Sequence, residues 1–472
     1  MYTFTYPREK FDETNIDKRE IRHLINKHIT FADKLKTNMK YYEGQHAILD
    51  RPKETGAPNN KLVCNHAKDI SDTASSYFIG EPVSYKSDKD IKQLTDALEA
   101  AGADEVDGDN GLDLSIYGLA YEYIYAAEGE SNLRIRNLPA TNTFVVCDDT
   151  IEQNELFGVY YYVQKDDTNQ LPVKYMATVV TQNYKYVMSI KDQDGPQDST
   201  EQTEQHYLGE VPITEYRNNK LGIGDFELQI PLIDAYNAIM SDRVNDKEQF
   251  IDSILAIYGI LLADEDYEID EDGNGDRKGH EEAMKRLRKE KLLEFPDQGA
   301  KAEYLTHTFD ESGVEILRKA IEQDIHKFSH IPCMTDESFG GNVSGVAMEF
   351  KLLGMENITK IKTRYYKKGL RKRLRIFARW MALKGTNIDV DRIKPVFTRC
   401  MPKNLLEISQ WVANLWGKVS KKTLLSQIPF VEDVEAELAA VEKEADESAE
   451  RQRKAFGAPQ NTPIEDDEDG EA

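Results

Sequence analysis

The chain lacks nearly every signature of a catalyst. No GxSxG, HExxH or nucleotide-binding GxGxxG occurs in it, which removes the serine-hydrolase, zincin and dinucleotide-dependent readings. The run from Gly340 and Gly341 to Gly345 has the look of a phosphate loop. Val346 and Ala347, however, stand where a Walker sequence needs Lys and then Ser or Thr. Nine His and four Cys are scattered, and their spacing defines no nucleophile–base pair, so neither a catalytic site nor a cofactor is expected. Cys64, Cys147, Cys333 and Cys400 form no CxxC pair and have no His at ligand spacing, which excludes a disulfide framework and suits a reducing compartment. No run of about 18 apolar residues exists, so no membrane span is expected. The opening MYTFTYPREKF lacks a basic start followed by an apolar stretch, so no signal peptide is expected and synthesis is read as cytosolic. Positive charge is scarce too: 60 Lys and Arg face 85 Asp and Glu, a net charge of −25. Such a surface would repel phosphates and cannot embrace nucleic acid as a whole. It remains compatible with a protein that lets DNA pass without holding it.

What is present is enough apolar material, 40% of 472 residues, for two to four domains of an α+β protein. Residues 17–45 read as a helix with Ile21, Leu24, Ile25, His28, Phe31 and Leu35 on one stripe and Gly44 as its C-terminal cap. Further helices are expected at 65–79, 88–101 and 111–119. From 120 to 216 the period changes to two, and segments rich in Tyr, Val and Ile predict an antiparallel sheet. Residues 191–205 read as a polar hairpin tip. Helices follow at 346–384, where Gly369 is a candidate bend, and at 405–416, 421–427 and 431–454.

The stretch Ile230–Gly259 reads as one helix of about 45 Å. Tyr236, Met240, Val244, Lys247, Ile251, Leu255 and Tyr258 share one side, and Asp242, Asn245, Asp246, Gln249, Asp252 and Ser253 the other. The apolar stripe is expected to pack and the polar stripe to face water. A second rod carries Val314, Leu317, Ile321, Ile325 and Phe328 in register. Between the rods lies a small α/β insertion with strands near 257–265 and 292–305, giving a hairpin of rods with a module at its tip.

Two segments invite chemistry. Asp270, Asp272, Asn274, Asp276 and Glu281 occupy the calcium-ligand positions of an EF-hand loop, with Gly275 at its turn. A strand-like segment precedes the loop instead of a helix, Arg277 sits where an apolar residue belongs, and no paired loop exists. An acidic turn in solvent is the favoured reading. Between Lys360 and Arg379, ten of twenty residues are Lys or Arg, interleaved with Tyr365, Tyr366, Phe377 and Trp380. Nucleic-acid binding is one reading. Pairing of Lys360, Arg364, Lys367, Lys368, Arg371 and Arg375 with carboxylates of another copy is favoured in so acidic a chain. A nucleic-acid-processing enzyme is disfavoured because no acidic or histidine cluster has the spacing to bind an activating metal.

YYEGQHAI (41–48), NNKLVCNHAKDISDTASSYFIGEPVSY (59–85), PLIDAYNAIMSD (231–242), SGVAMEFKLLGMEN (344–357) and LLSQIPFVEDVEAEL (424–438) stand in one order along the chain. In these segments the chain resembles the portal proteins of tailed bacteriophages, specifically the SPP1-like family of Gram-positive siphophages, over about residues 17–444. The resemblance implies a portal fold and a ring of usually twelve copies at one capsid vertex, assembled in the host bacterial cytoplasm and carried in the virion. Double-stranded DNA would pass along its axis without sequence recognition. It implies a wing at 1–225 and 346–400, stem helices at 226–258 and 311–330, a clip at 259–310, a tunnel loop at 331–345 and a crown at 401–456. Residues 457–472 would be a disordered acidic tail. The clip would meet the terminase large subunit during filling and the head-completion adaptor afterwards, while scaffolding and major capsid protein would contact the wing. An acidic tunnel would act as a low-friction sleeve, with Asp242, Asp246, Asp252, Asp336 and Glu337 in its lining and Gly340 and Gly341 making the tunnel loop pliable. The alternative is a calcium-binding interaction protein built on residues 270–281.

Overall fold

The computed structural model describes residues 3–52, 58–164, 174–191, 201–251, 254–258, 301–305, 311–334, 345–399, 405–426, 428, 431 and 434–456. The chain divides into two compact units, Met1–Cys400 and Met401–Ala472. The expected calcium loop, most of the clip, the acidic tail, and Asp252, Asp336, Glu337, Gly340 and Gly341 lie outside the described residues.

In the first unit, helix α1 (Lys18–Tyr42) starts where the Asp17 side chain accepts from the Arg19 amide, satisfying one of the donors a helix start leaves open. It ends at Gly44, whose φ of +84° lets the Gln45 amide turn back 2.7 Å to the Lys40 carbonyl. Ile21, Leu24 and Ile25 on its predicted stripe pack onto a six-stranded sheet against Phe144, Phe157 and Val159. Each such buried side chain contributes about 1.5–3 kcal/mol. The sheet runs in the order β1 (Phe4–Tyr6), β5 (Thr143–Asp148), β6 (Glu155–Gln164), β7 (Lys174–Val180), β8 (Tyr184–Lys191) and β9 (Glu201–Gln205). Strand β1 pairs parallel with β5, and the other pairs are antiparallel.

The single sheet expected over 120–216 is two. Strands β10 (Ile213–Arg217), β3 (Leu119–Ala126) and β4 (Leu133–Leu138) form a separate antiparallel sheet. Alternating hydrophobicity shows that a segment is a strand but carries nothing about which edge it joins. Helices α2 (His66–Ile79), α3 (Lys92–Ala100), α4 (Ala103–Tyr117) and the long α7 (Gly345–Leu383) cover this second sheet. A two-stranded ribbon of β2 (Ser84–Lys86) and β13 (Lys394–Val396) completes the layer. Between α4 and α7 in sequence come α5 (Ile230–Ile251) and α6 (Glu311–Ser329), with strands β11 (Ile254–Tyr258) and β12 (Lys301–Leu305) beside them in the chain.

Helix α7 runs unbroken through Gly369, so the helix does not end there. A Cβ at Gly369 would stand 2.2 Å from the Tyr216 ring. Glycine is there to let Tyr216 approach and stack on Tyr366 at 4.4 Å.

The second unit contains α8 (Leu405–Leu415), α9 (Lys421–Leu425) and the exposed, acidic α10 (Val434–Phe456). The Ser420 side chain caps α9 by accepting from the Thr423 amide at 3.3 Å.

Candidate functional site

Helices α5 and α6 lie side by side, clamped by ions. Arg243 donates to Glu311 at 2.7 Å and to Glu315 at 2.8 Å, and Lys247 reaches Glu311 at 3.1 Å. Arg318 bonds Glu315, Glu322 and the Tyr236 hydroxyl. Arg318 first and Arg243 next hold the Glu315 carboxyl down at about 2. Between these helices in the chain, β11 and β12 form an antiparallel ribbon, Ile254 opposite Leu305 and Tyr258 opposite Lys301. The ribbon brings the two ends of 259–300 together.

Helix α5 is shorter than expected: it stops at Ile251, and 254–258, read as its last turn, is a strand. The β-branched and aromatic composition of ILAIY favours a pleated surface.

On the expected apolar side of α5, Tyr236 is buried and Met240 and Val244 are half-buried. On the expected polar side, Asp242 and Asp246 are half-buried and Asn245 is buried, along with Ser241 and Asn237 one and two turns before it. The cause is an extended segment laid along the helix. The Cys64 amide donates to Asn237 at 2.8 Å, the Leu62 amide to Ser241 at 3.0 Å and the Asn60 amide to Asn245 at 2.7 Å. Four helical residues advance about 6 Å and two extended residues about 6.6 Å, so the two repeats stay in step for three rungs. At the first rung, Asn237 also donates to His46 Nδ1 at 2.7 Å, while His46 Nε2 donates to the Tyr41 carbonyl at 2.9 Å. Asn237, Ser241 and Asn245 therefore supply acceptors for a backbone that has no sheet to join.

This seam predicts amide exchange with a period of two. The Asn60, Leu62 and Cys64 amides should exchange at least about ten-fold more slowly than those of Lys61 and Val63, which alternate to the other side. Asn237→Ala strands the Cys64 amide and His46, and is expected to cost about 1–3 kcal/mol and erase that protection.

Among the expected channel residues, Asp242 is not a free carboxylate: Arg51 donates to it at 2.5 Å. Asp246 is half-buried.

The basic run is divided between the two sides of α7. Lys360 lies 3.6 Å from Glu356 one turn back, Lys367 sits over the Phe397 ring at 5.7 Å, and Arg375 forks onto Glu210 at 2.5 and 2.8 Å. Arg375 thus has a carboxylate in its own chain. Arg364, Lys368 and Arg371 are exposed.

Three cations of the run were not singled out from the sequence and turn inward. Lys362 reaches Asp225 at 2.7 Å, and Lys372 bonds Glu155 and the Ile213 carbonyl. The fully buried Arg373 holds both Asp107 and Glu122. Their spacing was a usable signal. Lys362, Tyr366, Leu370, Arg373 and Phe377 recur at three- and four-residue steps, so the two cations share a stripe with core residues.

Among the described residues no three His, Cys, Asp or Glu gather to hold a metal, and no helix is long and apolar enough to cross a membrane.

Comparison with known proteins places this geometry in a family. The portal protein of Bacillus phage SPP1 is 25% identical over 434 residues, covering 88% of this chain and 82% of that protein. The portal protein of Clostridium phage phiCD119 is 26% identical over 246 residues, 49% of this chain and 48% of that protein. A solved neck of a native gene transfer agent particle, computed with C12 symmetry, matches with a TM-score of 0.43 at 13% identity, covering 77% of this chain and 89% of its own. The calcium-binding alternative finds no support among these relatives. The model of the family "Phage portal protein, SPP1 Gp6-like" matches residues 21–451, nearly the full length, and the chain belongs to that family of phage portal proteins.

Proposed function

We propose that the chain closes into a ring of about twelve copies at one capsid vertex, through which double-stranded DNA is packaged and later ejected. The observation that carries this is the exposure of large apolar side chains on two successive helices. Ile316, Leu317 and Phe328 on α6 and Phe350, Leu353 and Ile361 on α7 are all exposed, Ile316 by 71% and Phe350 by 72%. Apolar surface of this extent favours burial against another protein, and a neighbouring copy would supply it.

The work is mechanical, with no bond made or broken. The α5–α6 pair forms the stem. Its carboxylates and those of the tunnel loop (Asp242, Asp246, Asp252, Asp336, Glu337) repel the duplex, which carries one charge per about 1.7 Å. Asp242, already paired with Arg51, adds least to that field. Gly340 and Gly341 let the tunnel loop follow the moving duplex. The clip, 259–310, meets the terminase large subunit and then the head-completion adaptor, and the wing meets scaffolding and major capsid protein. Lys360, Arg364, Lys367, Lys368, Arg371 and Arg375 serve contacts between subunits. Assembly takes place in the host bacterial cytoplasm.

Negative-stain imaging and native mass measurement of the purified chain test the reading. A ring with a central hole is expected, and a monomer that persists at micromolar concentration would sink it. Titration with calcium is expected to release no heat.

A further inference from the structure

We infer that the wing carries opposite charges on opposite flanks, and that the acidic stripe of α4 in one copy docks on the exposed cationic stripe of α7 in the next. The inference rests on the ring proposed above and names the residues that close it.

The buried contact between α4 and α7 sets the directions. Arg373 Nη1 and Nη2 reach the Asp107 carboxylate at 3.0 and 2.6 Å, so residue 373 on α7 and residue 107 on α4 face each other. A residue two places away on a helix is turned by about 200°. Glu105 and Asp109 therefore leave α4 pointing away from α7, and Arg371 and Arg375 leave α7 pointing away from α4. All four are exposed. Arg364 and Lys368 fall in the same outward sector of α7, within roughly 40° of the direction opposite Arg373, and both are exposed.

Neither stripe is neutralised at home. Among the described residues Arg364, Lys368 and Arg371 make no ion pair, and Arg375 alone is occupied, by Glu210. Lys368, Arg371 and Arg375 border a recess of about 1210 Å³ beside α7, open toward the 148–154 turn. Its other lining residues include Asp148, Glu152 and Glu215, as well as Glu155 and Glu210, which are held by Lys372 and Arg375. On the other flank, Glu105 and Asp109 stand one turn apart, and among the described residues neither makes an ion pair. Burial and then Glu105 raise the Asp109 carboxyl.

Unlike patches on opposite sides of one subunit make a head-to-tail contact, the kind that generates a ring when the rotation closes. Like charges would meet in a face-to-face dimer, and that arrangement is disfavoured. The net charge of −25 makes general repulsion between copies large, so a local match of opposite sign is needed to set the register. A free polyanion is the other candidate occupant of the cationic stripe, and the test separates it.

Two charge-reversed proteins decide the matter, one carrying Glu105→Lys and Asp109→Lys, the other Lys368→Glu and Arg371→Glu. All four positions are exposed, and circular dichroism of each protein confirms folding. Alone, each is expected to form rings at least about ten-fold less efficiently than the parent at 0.1 M salt, since each sets like charges opposite one another. Mixed one to one, the two restore rings of alternating composition, because each now offers the flank its partner lacks. Rings from either variant alone at parental yield, or a mixture that stays unassembled, overturn the pairing. If only the Lys368/Arg371 variant changes, and what it loses is retention on heparin, the stripe serves a polyanion and the pairing is likewise overturned. A parent that forms no rings refutes the ring itself, an outcome distinct from all of these.

Discussion

Replacing Arg373 by Met is expected to cost the first unit about 3–5 kcal/mol, seen as a fall in the urea midpoint at unchanged slope. Arg373 is fully buried and spends its guanidinium on two carboxylates. Nη1 and Nη2 fork onto Asp107, and Nε lies 3.1 Å from both oxygens of Glu122. Two hydroxyls complete the shell: Tyr216 donates to Glu122 at 3.0 Å and Tyr366 to Asp107 at 2.6 Å. A buried ion pair contributes little net stability compared with a well-packed apolar replacement, but removing one partner leaves the other charge without compensation. Here two carboxylates would remain, facing each other away from water. Because Asp107 is on α4, Glu122 on β3 and Arg373 on α7, the loss would loosen three elements at once. Arg373→Lys keeps the charge without the planar fork and should fall between the two. A loss below about 1 kcal/mol for Arg373→Met would mean that water reaches the triad.

Acid is expected to weaken the first unit through His28. The ring is buried against Phe144 at 4.9 Å, and its Nδ1 lies 2.8 Å from the Tyr161 hydroxyl. Burial, with a smaller push from Lys36, lowers its pKa to about 4. Unfolded, the imidazole takes its proton near pH 6.5; folded, it refuses it until about 4. The stabilisation is therefore complete above pH 6.5 and is lost as the pH falls from there to about 4, where the loss levels off near about 3 kcal/mol. His28→Phe keeps an aromatic ring beside Phe144, and Tyr161 keeps the Thr141 carbonyl at 3.5 Å. That variant should show a flatter decline in stability between pH 6.5 and 4. His66 and His206 are also held down by burial, so some acid sensitivity will remain. An identical slope in the variant and the parent would remove His28 from the account.

Residue pattern carried the helices whose burial is apolar. The stripe of α1 went under the sheet as spaced, Gly44 capped it, and α7 spans 345–383 against an expected 346–384. It failed where a polar group is buried for the sake of a distant backbone. Asn245 read as wet because hydropathy scores the side chain alone; its partner Asn60 lies 185 residues away in sequence, and the partners of Asn237 and Ser241 are comparably distant. For the same reason Lys362 and Arg373 were not singled out, since Asp225, Asp107 and Glu122 are distant in sequence. Gly369 looked like a helix breaker because nothing local reveals that a tyrosine from β10 presses on it.

By itself the sequence determined the acidic surface, the missing catalytic motifs, the period of most helices and strands and, through five segments in order, the portal family. Those properties are sums over single residues or short windows, and each can be read without knowing what lies opposite. The tertiary structure alone decided the division into two sheets, the burial of Asn237, Ser241 and Asn245 on α5, and the inward turn of three cations. These depend on which groups meet across long stretches of chain. A buried donor must find its acceptor wherever the fold brings one, and no local pattern encodes that meeting.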